Sequence, residues 1–146
     1  MEKKRMVADS PEKGAIRQQV FKSVIEKYND AMAKGFYLEA VTLMESMIGD
    51  RLESQIAYNN ENGISFAPLG RLTNPIENGK LVVSDAIKSV IPRIKEWAKK
   101  RNAALHEIAK IADSEQDRTF EDKYNAAKLC AEEGMKIFRE LDKLIK

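Results

Sequence analysis

Apolar side chains recur every three or four residues along four stretches of the chain, which predicts four amphipathic helices. The first begins after Ser10, a favourable N-cap that is followed by Pro11 at the first helical position, and it ends at Gly35, which can adopt a left-handed C-cap. The second extends from about Phe36 to Tyr58. Because Gly35 alone separates these two segments, we expect them to form an antiparallel hairpin.

Residues 59–84 interrupt the helical period. Glycine, proline and asparagine are frequent there, which predicts a long loop between the second and third helices. A short strand or turn at "ISF" or "KLVV" is an open alternative within it. A connection of this length is uncommon inside a compact domain and often carries function.

The third helix begins either near Ser84 or at Pro92, because Pro92 can open a new helix or kink an existing one. In both cases the periodic pattern at residues 93–112 predicts one continuous helix. The fourth helix begins after Thr119, where Asp122 completes a pattern that resembles a capping box.

Four helices in this order predict an all-α fold, an up-down four-helix bundle with a long loop between helices 2 and 3. The chain has 146 residues, of which 43% are hydrophobic and 33% charged, and this composition fits a single domain over residues 1–146. The first nine residues are polar and are expected to be flexible. No secretory signal or membrane-spanning run is visible, so we expect a cytoplasmic protein without a membrane partner.

Two residue types limit the candidate chemistry. Cys130 and His106 are the only cysteine and the only histidine, so an internal disulfide and a cysteine-based metal cluster are excluded, and we expect neither a metal nor a cofactor. Cys130 and Trp97 are expected in the core. The net charge of +2 does not by itself indicate a nucleic-acid partner. A local basic strip can nevertheless meet phosphate, and one surrounds the histidine: Lys95, Lys99, Lys100, Arg101 and Lys110.

One position of the third helix breaks its apolar stripe. The stripe passes through Trp97 and Leu105, and Arg101 lies within about 20° of its centre. A guanidinium remains charged when it is buried, so it needs an anionic partner or a route to water. One possibility is an anionic partner within the protein, a carboxylate on a facing helix such as Glu45 or Glu53. The other is a groove at the edge of the stripe, where the arginine would hold a ligand phosphate.

Asn102 and His106 are four residues apart, so one strip of the helix surface carries both. This strip borders the apolar stripe, and about 140° around the helix axis separates His106 from Arg101. The arginine and the histidine can therefore reach one substrate only if the arginine stem curls outward or if a second subunit supplies one of them.

These residue types fit metal-free chemistry on an RNA phosphate. RNA carries its own nucleophile, the 2′-hydroxyl, and an imidazole can remove its proton or protonate the leaving oxygen near neutral pH. A guanidinium can bind the phosphate in a bidentate manner and stabilise the charge of the transition state. A symmetric dimer would bring two histidines to one groove.

The stretch "RNAALH" at residues 101–106 resembles the motif of the HEPN domain family, an arginine followed four to six residues later by a histidine, in the form where asparagine follows the arginine. The resemblance extends to the helical frame over roughly residues 12–146, including the second-helix stretch "GFYLEAVTLMESMIGDRLES". It implies a dimeric all-α protein in which Arg101 and His106 form the catalytic pair and Asn102 supports them. Family members often have a small residue after the histidine, where this chain has Glu107.

The resemblance also implies a function, a metal-independent endoribonuclease of a bacterial or phage toxin–antitoxin or abortive-infection defence system. Its partners would be RNA, a second copy of the chain and an antitoxin protein. The alternative is a non-catalytic helical bundle that binds a protein or a nucleotide, in which Arg101 pairs internally with a carboxylate of the second helix and His106 is exposed. A third hypothesis, a basic helical nucleic-acid binder, predicts affinity that falls steeply with salt.

Overall fold

The computed structural model describes residues 3–59 and 65–145. Five α-helices account for most of them: α1 (Pro11–Lys34), α2 (Tyr37–Tyr58), α3 (Leu69–Glu77), α4 (Asp85–His106) and α5 (Phe120–Leu144), with one 3₁₀ turn at Asp113–Glu115. Within the described ranges there is no strand, only an isolated antiparallel bridge between Lys4 and Ser65. The predicted all-α class is therefore confirmed, and the long helices pack as a helical bundle.

Local capping determines where three of the helices begin. The Ser10 hydroxyl accepts a hydrogen bond from the backbone N–H of Lys13 at 3.2 Å, and the Ser84 hydroxyl accepts one from Ile87 at 3.3 Å. Thr119 begins α5 with a complete capping box. Of the two predicted starts for the third long helix, Ser84 is confirmed. Pro92 lies inside α4, on its exposed side, where the carbonyl that loses its partner can face water.

The prediction of a long loop at residues 59–84 is wrong for its middle part, where α3 forms. Leu69, Leu72, Thr73 and Ile76 are buried and follow the helical period, and α3 packs mainly on α4 and also contacts α2. Of the two alternatives for a short strand, "ISF" begins at residue 64, which is outside the described residues, and continues at Ser65, which forms the bridge to Lys4. The "KLVV" stretch is not a strand.

The prediction of one continuous helix over residues 93–112 is also wrong, because α4 ends at His106. The Lys123 ammonium of α5 donates to the carbonyl of Glu107 at 3.1 Å and makes a shorter bond to the carbonyl of Lys110. Both carbonyls lie just beyond α4, and that of Glu107 also accepts the backbone N–H of Lys110 at 3.0 Å. This contact from another helix satisfies them and accompanies the turn of the chain away from the helix axis.

Contacts at both ends define how α2 and α5 run. The rings of Tyr37 and Tyr124, near the two helix starts, have centroids 5.0 Å apart, and Arg51 lies 3.3 Å from Asp142 near the two helix ends. The two helices therefore lie side by side and parallel. α1 packs antiparallel on α2.

The core is centred where α2, α4 and α5 meet. Trp97 is fully buried, and its indole N–H donates to the carbonyl of Cys130 at 2.8 Å. Cys130 is buried as well, so both core predictions are confirmed. Gly134 permits this approach, since a Cβ there would lie 2.9 Å from the Met44 Cβ and 2.9 Å from the Trp97 ring.

The first described residues, predicted to be flexible, contact the bundle. The Arg5 guanidinium pairs closely with Asp50, and the backbone N–H of Phe66 donates to the carbonyl of Lys3 at 2.7 Å. Arg17 donates to the carbonyl of Met6 at 2.7 Å. Nowhere in the described part of the chain is a helix both long and apolar enough to cross a bilayer.

Candidate functional site

Arg101 turns inward from α4 and meets a carboxylate of α2. Its Nη1 donates to Glu45 Oε1 at 2.5 Å, with 15% of the arginine side chain and 26% of the glutamate side chain exposed. Arg101 therefore faces inward, as the apolar stripe predicts, and forms an internal ion pair. This is the first of the two alternatives that the sequence left open for it.

Glu53, the other carboxylate considered as a partner, is engaged elsewhere. It accepts the backbone N–H of Ala67 at 3.2 Å, and its Oε1 lies 3.7 Å from Arg5 Nη1. Burial raises the pKa of this carboxyl above its ordinary value, although the hydrogen bond from Ala67 and the charge of Arg5 act in the opposite direction. Glu53 therefore belongs to the structural contacts of the N-terminal segment.

The guanidinium of Arg101 is only partly satisfied. Its Nε is buried without a hydrogen-bond partner, and Nη2 makes no hydrogen bond to any residue of the described ranges. Glu45 thus positions the group through one nitrogen. The other terminal nitrogen remains available for an anion that reaches this edge of α4.

Asn102 and His106 both face solvent, and His106 is the last residue of α4. Within the described part of the chain, neither side chain has a hydrogen bond or ion pair. Because α4 is continuous through residue 106, helix geometry separates Arg101 from His106 by about 140° around the axis and about 7.5 Å along it. The structure brings Asn102 and His106 to one exposed strip, and it does not bring Arg101 to that strip.

The lysines predicted to form a basic strip are largely paired with carboxylates. Lys95 lies 2.9 Å from Glu77, Lys99 lies 2.9 Å from Glu96, and Lys100 lies 2.9 Å from Glu133. The hydrogen bond from Lys99 lowers the pKa of Glu96, and the one to Glu133 raises the pKa of Lys100, so each pair favours its charged form.

Lys110 is the exception among these lysines, with no ion-pair partner in the described ranges. Exposed pairs exchange easily with solvent ions and contribute little to stability. The strip can therefore still meet a phosphate, at the cost of displacing its own carboxylates.

A cavity of about 520 Å³ lies between the end of α4, the start of α5 and the segment that connects them. We name it the α4–α5 cavity, and its lining includes Ala103, Ile108, Ile111, Ala126, Leu129 and Cys130. Arg101, Asn102 and His106 do not line it. The sequence pattern did not predict this cavity, because the apolar residues past His106 continue the helical period and predict more helix, whereas the chain leaves α4 there.

Cys130 at the cavity wall is a protonated thiol at neutral pH. Burial raises its pKa to about 11, and the nearby charge of Glu133 acts in the same direction. The thiolate is the nucleophilic form, so this cysteine is not activated for covalent chemistry.

No group of three or more histidine, cysteine, aspartate or glutamate side chains within the described ranges is arranged to hold a metal ion. No protein-family model, curated protein or solved structure matches this chain.

Proposed function

We propose that this chain is a HEPN-like metal-independent endoribonuclease whose site is completed by a second copy, in an up-down four-helix frame. The observation that carries the proposal is the exposed pair Asn102 and His106, whose side chains have no hydrogen-bond or ion-pair partner among the described residues. On another face of the same helix, Arg101 Nη2 makes no hydrogen bond to any described residue. The resemblance of "RNAALH" to the HEPN motif supports it. Alternating helix directions among α1, α2, α4 and α5 support the frame.

In this mechanism each residue has a separate role. His106 removes the proton of the 2′-hydroxyl, or donates a proton to the departing 5′-oxygen, while the same residue of the second copy performs the other transfer. The 2′-oxygen attacks phosphorus and the bond to the 5′-oxygen breaks, which leaves a 2′,3′-cyclic phosphate and a 5′-hydroxyl. Arg101 stabilises the charge on the phosphate, and Asn102 orients the phosphate or the imidazole.

The proposal includes a second copy because Arg101 turns inward to Glu45 and diverges from His106 around one helix. A dimer in which two α4 helices border one groove would place the arginine of one copy near the histidine of the other. The cellular setting we propose is a toxin–antitoxin or abortive-infection defence system, in which an antitoxin protein would restrain the nuclease.

The test is cleavage of unstructured and structured RNA by the purified protein in EDTA. The native protein should yield cyclic-phosphate ends, and His106→Ala and Arg101→Ala should each lower the rate by at least about 100-fold. Lys136→Ala, an exposed lysine elsewhere on α5, is the matched control. Sedimentation should show a dimer. Equal rates in all four proteins, or no cleavage by a dimeric native protein, would overturn the proposal.

A second candidate is the non-catalytic bundle that binds a protein or nucleotide. It is favoured by the Arg101–Glu45 ion pair, because an arginine that is neutralised internally needs no ligand to explain its position. Under this hypothesis Glu45→Gln changes stability only. Under the nuclease hypothesis Glu45→Gln also lowers the cleavage rate, since the guanidinium loses the group that positions it.

A further inference from the structure

The α4–α5 cavity is a candidate binding site on a different side of α4 from the motif residues. From its lining we infer that it binds a small amphipathic anion, an alkyl chain carrying a carboxylate or phosphate monoester head. The inference is independent of ribonuclease activity, because Arg101, Asn102 and His106 do not line the cavity.

The interior of the cavity suits an alkyl chain. The facing sides of α4 and α5 carry small side chains at the cavity, which leave the space between the helices open. They are the alanines at positions 103, 104, 126 and 127. The volume of about 520 Å³ falls within the range of small-molecule sites, roughly 300–1,000 Å³.

Two large apolar side chains at the cavity lie open to solvent. Ile111 is 76% exposed and Leu129 is 64% exposed. Both would lose water contact against a bound alkyl chain, which is the main source of affinity in such sites.

The charges at the cavity favour an anionic head. Two of its charge pairs are already neutral, Lys100 with Glu133 at 2.9 Å and Arg118 with Glu115 at 3.4 Å. The two remaining cations at the cavity, Lys110 and Lys123, have no carboxylate partner among the described residues.

Lys123 is half-buried and donates only to backbone carbonyls among the described residues, whereas Lys110 is exposed. Against these two ammonium groups the lining offers one unpaired carboxylate, Glu107. The apolar interior favours an alkyl chain, and the excess of ammonium groups favours an anionic head. A carboxylate and a phosphate monoester are both anionic hydrogen-bond acceptors, so either head fits.

The experiment is calorimetric titration of the full chain with alkyl carboxylates of six to twelve carbons, decyl phosphate and decyltrimethylammonium. We expect Kd to fall about fourfold for each added CH₂ until the cavity is full. Decanoate and decyl phosphate should both bind, and their ratio identifies the preferred head. Binding of decyltrimethylammonium as tight as that of decanoate would overturn the inference, as would a series without chain-length dependence.

Two variants locate the site. Lys110→Glu should weaken decanoate binding at least tenfold, while Lys136→Glu, the same change at an exposed position away from the cavity, should leave it unchanged. Ala126→Phe should fill the space and abolish binding, and Ala15→Phe on the exposed face of α1 is its control. Circular dichroism establishes that each variant is folded. Undiminished binding to folded Ala126→Phe would show that the ligand lies elsewhere and would refute the assignment.

Discussion

Replacing Gly134 with alanine should destabilise the protein, although alanine is the better helix former. Gly134 lies in α5 where α2 and α4 meet, and a Cβ there would be 2.9 Å from the Met44 Cβ and 2.9 Å from the Trp97 Cζ2. Favourable carbon contacts begin at about 3.5 Å. The Met44 Cβ moves only with the α2 backbone, and the Trp97 ring is fully buried and hydrogen-bonded to Cys130, so neither group can yield cheaply.

The magnitude follows from two opposing contributions. The alanine gains about 1 kcal/mol of helix propensity over glycine. Overpacking a close-packed core costs about 1–3 kcal/mol, and two contacts with immobile groups place this site in the upper half of that range. We therefore expect Gly134→Ala to lower the free energy of unfolding by about 1–2 kcal/mol, which corresponds to a fall in Tm of roughly 3–8 °C for a chain of this size.

Urea unfolding followed by far-ultraviolet circular dichroism measures this change. The matched control is Gly49→Ala, since Gly49 is also a buried helical glycine but an added Cβ meets nothing within 4 Å. That variant should be up to about 1 kcal/mol more stable than the native protein. If Gly134→Ala were as stable as the native protein, the packing argument for this helix crossing would be wrong.

Three further predictions concern charges and a helix cap. Glu45→Met should cost about 1–3 kcal/mol, because it leaves the mostly buried guanidinium of Arg101 without a carboxylate. Combining it with Arg101→Met should restore stability to within about 1 kcal/mol, as measured by a double-mutant cycle in urea. Burial acts to raise the pKa of Asp50, but the hydrogen bonds and charges of Arg5 and Arg51 outweigh burial and lower this pKa. The stability that Asp50 contributes is therefore fully present above about pH 4, the pKa of the unfolded chain, and is lost as the pH falls through the lower pKa of the folded state. Urea unfolding at a series of acidic pH values should show a smaller loss of stability for Asp50→Asn than for the native protein. Thr119→Ala should cost about 1 kcal/mol through the lost cap of α5, seen as a lower Tm that Thr119→Ser restores.

Helix starts were the most predictable part of the fold because an N-cap is a local interaction. Ser10, Ser84 and Thr119 each cap a helix within three residues of themselves, so the sequence pattern contains the whole interaction. Helix α3 could not be predicted in this way. It has no side-chain cap, it includes Pro75, and its apolar face is buried by α4 and α2, which come from other parts of the chain.

The predicted end of α4 was wrong for a related reason. The apolar period continues through Ile108 and Ala112, so the local pattern favours more helix than the structure contains. The side-chain partner of the carbonyls beyond the helix is Lys123, 17 residues further along the chain than His106, and its position depends on how α5 packs. The α4–α5 cavity exists because the chain leaves the helix there, so it was equally hidden from the sequence.

In the candidate site, the helical period predicted the direction of a side chain but not its partner. The period identified Arg101 as an inward-facing charge, because direction around one helix depends on that helix alone. It did not choose between Glu45 and Glu53, which are about 12 Å apart along α2, because that choice depends on the register between two helices.

The nuclease hypothesis depends on whether Arg101 and His106 can meet one phosphate. α4 is a regular helix through residue 106, and Arg101 turns inward to Glu45, so Arg101 and His106 point to different faces of it. A shared phosphate can therefore meet both only if the arginine stem leaves Glu45 and curls outward, or if a second α4 approaches. The ion pair with Glu45 opposes the first route, so the geometry of a dimer is the quantity that separates a catalytic pair from an internal ion pair and a separate exposed histidine.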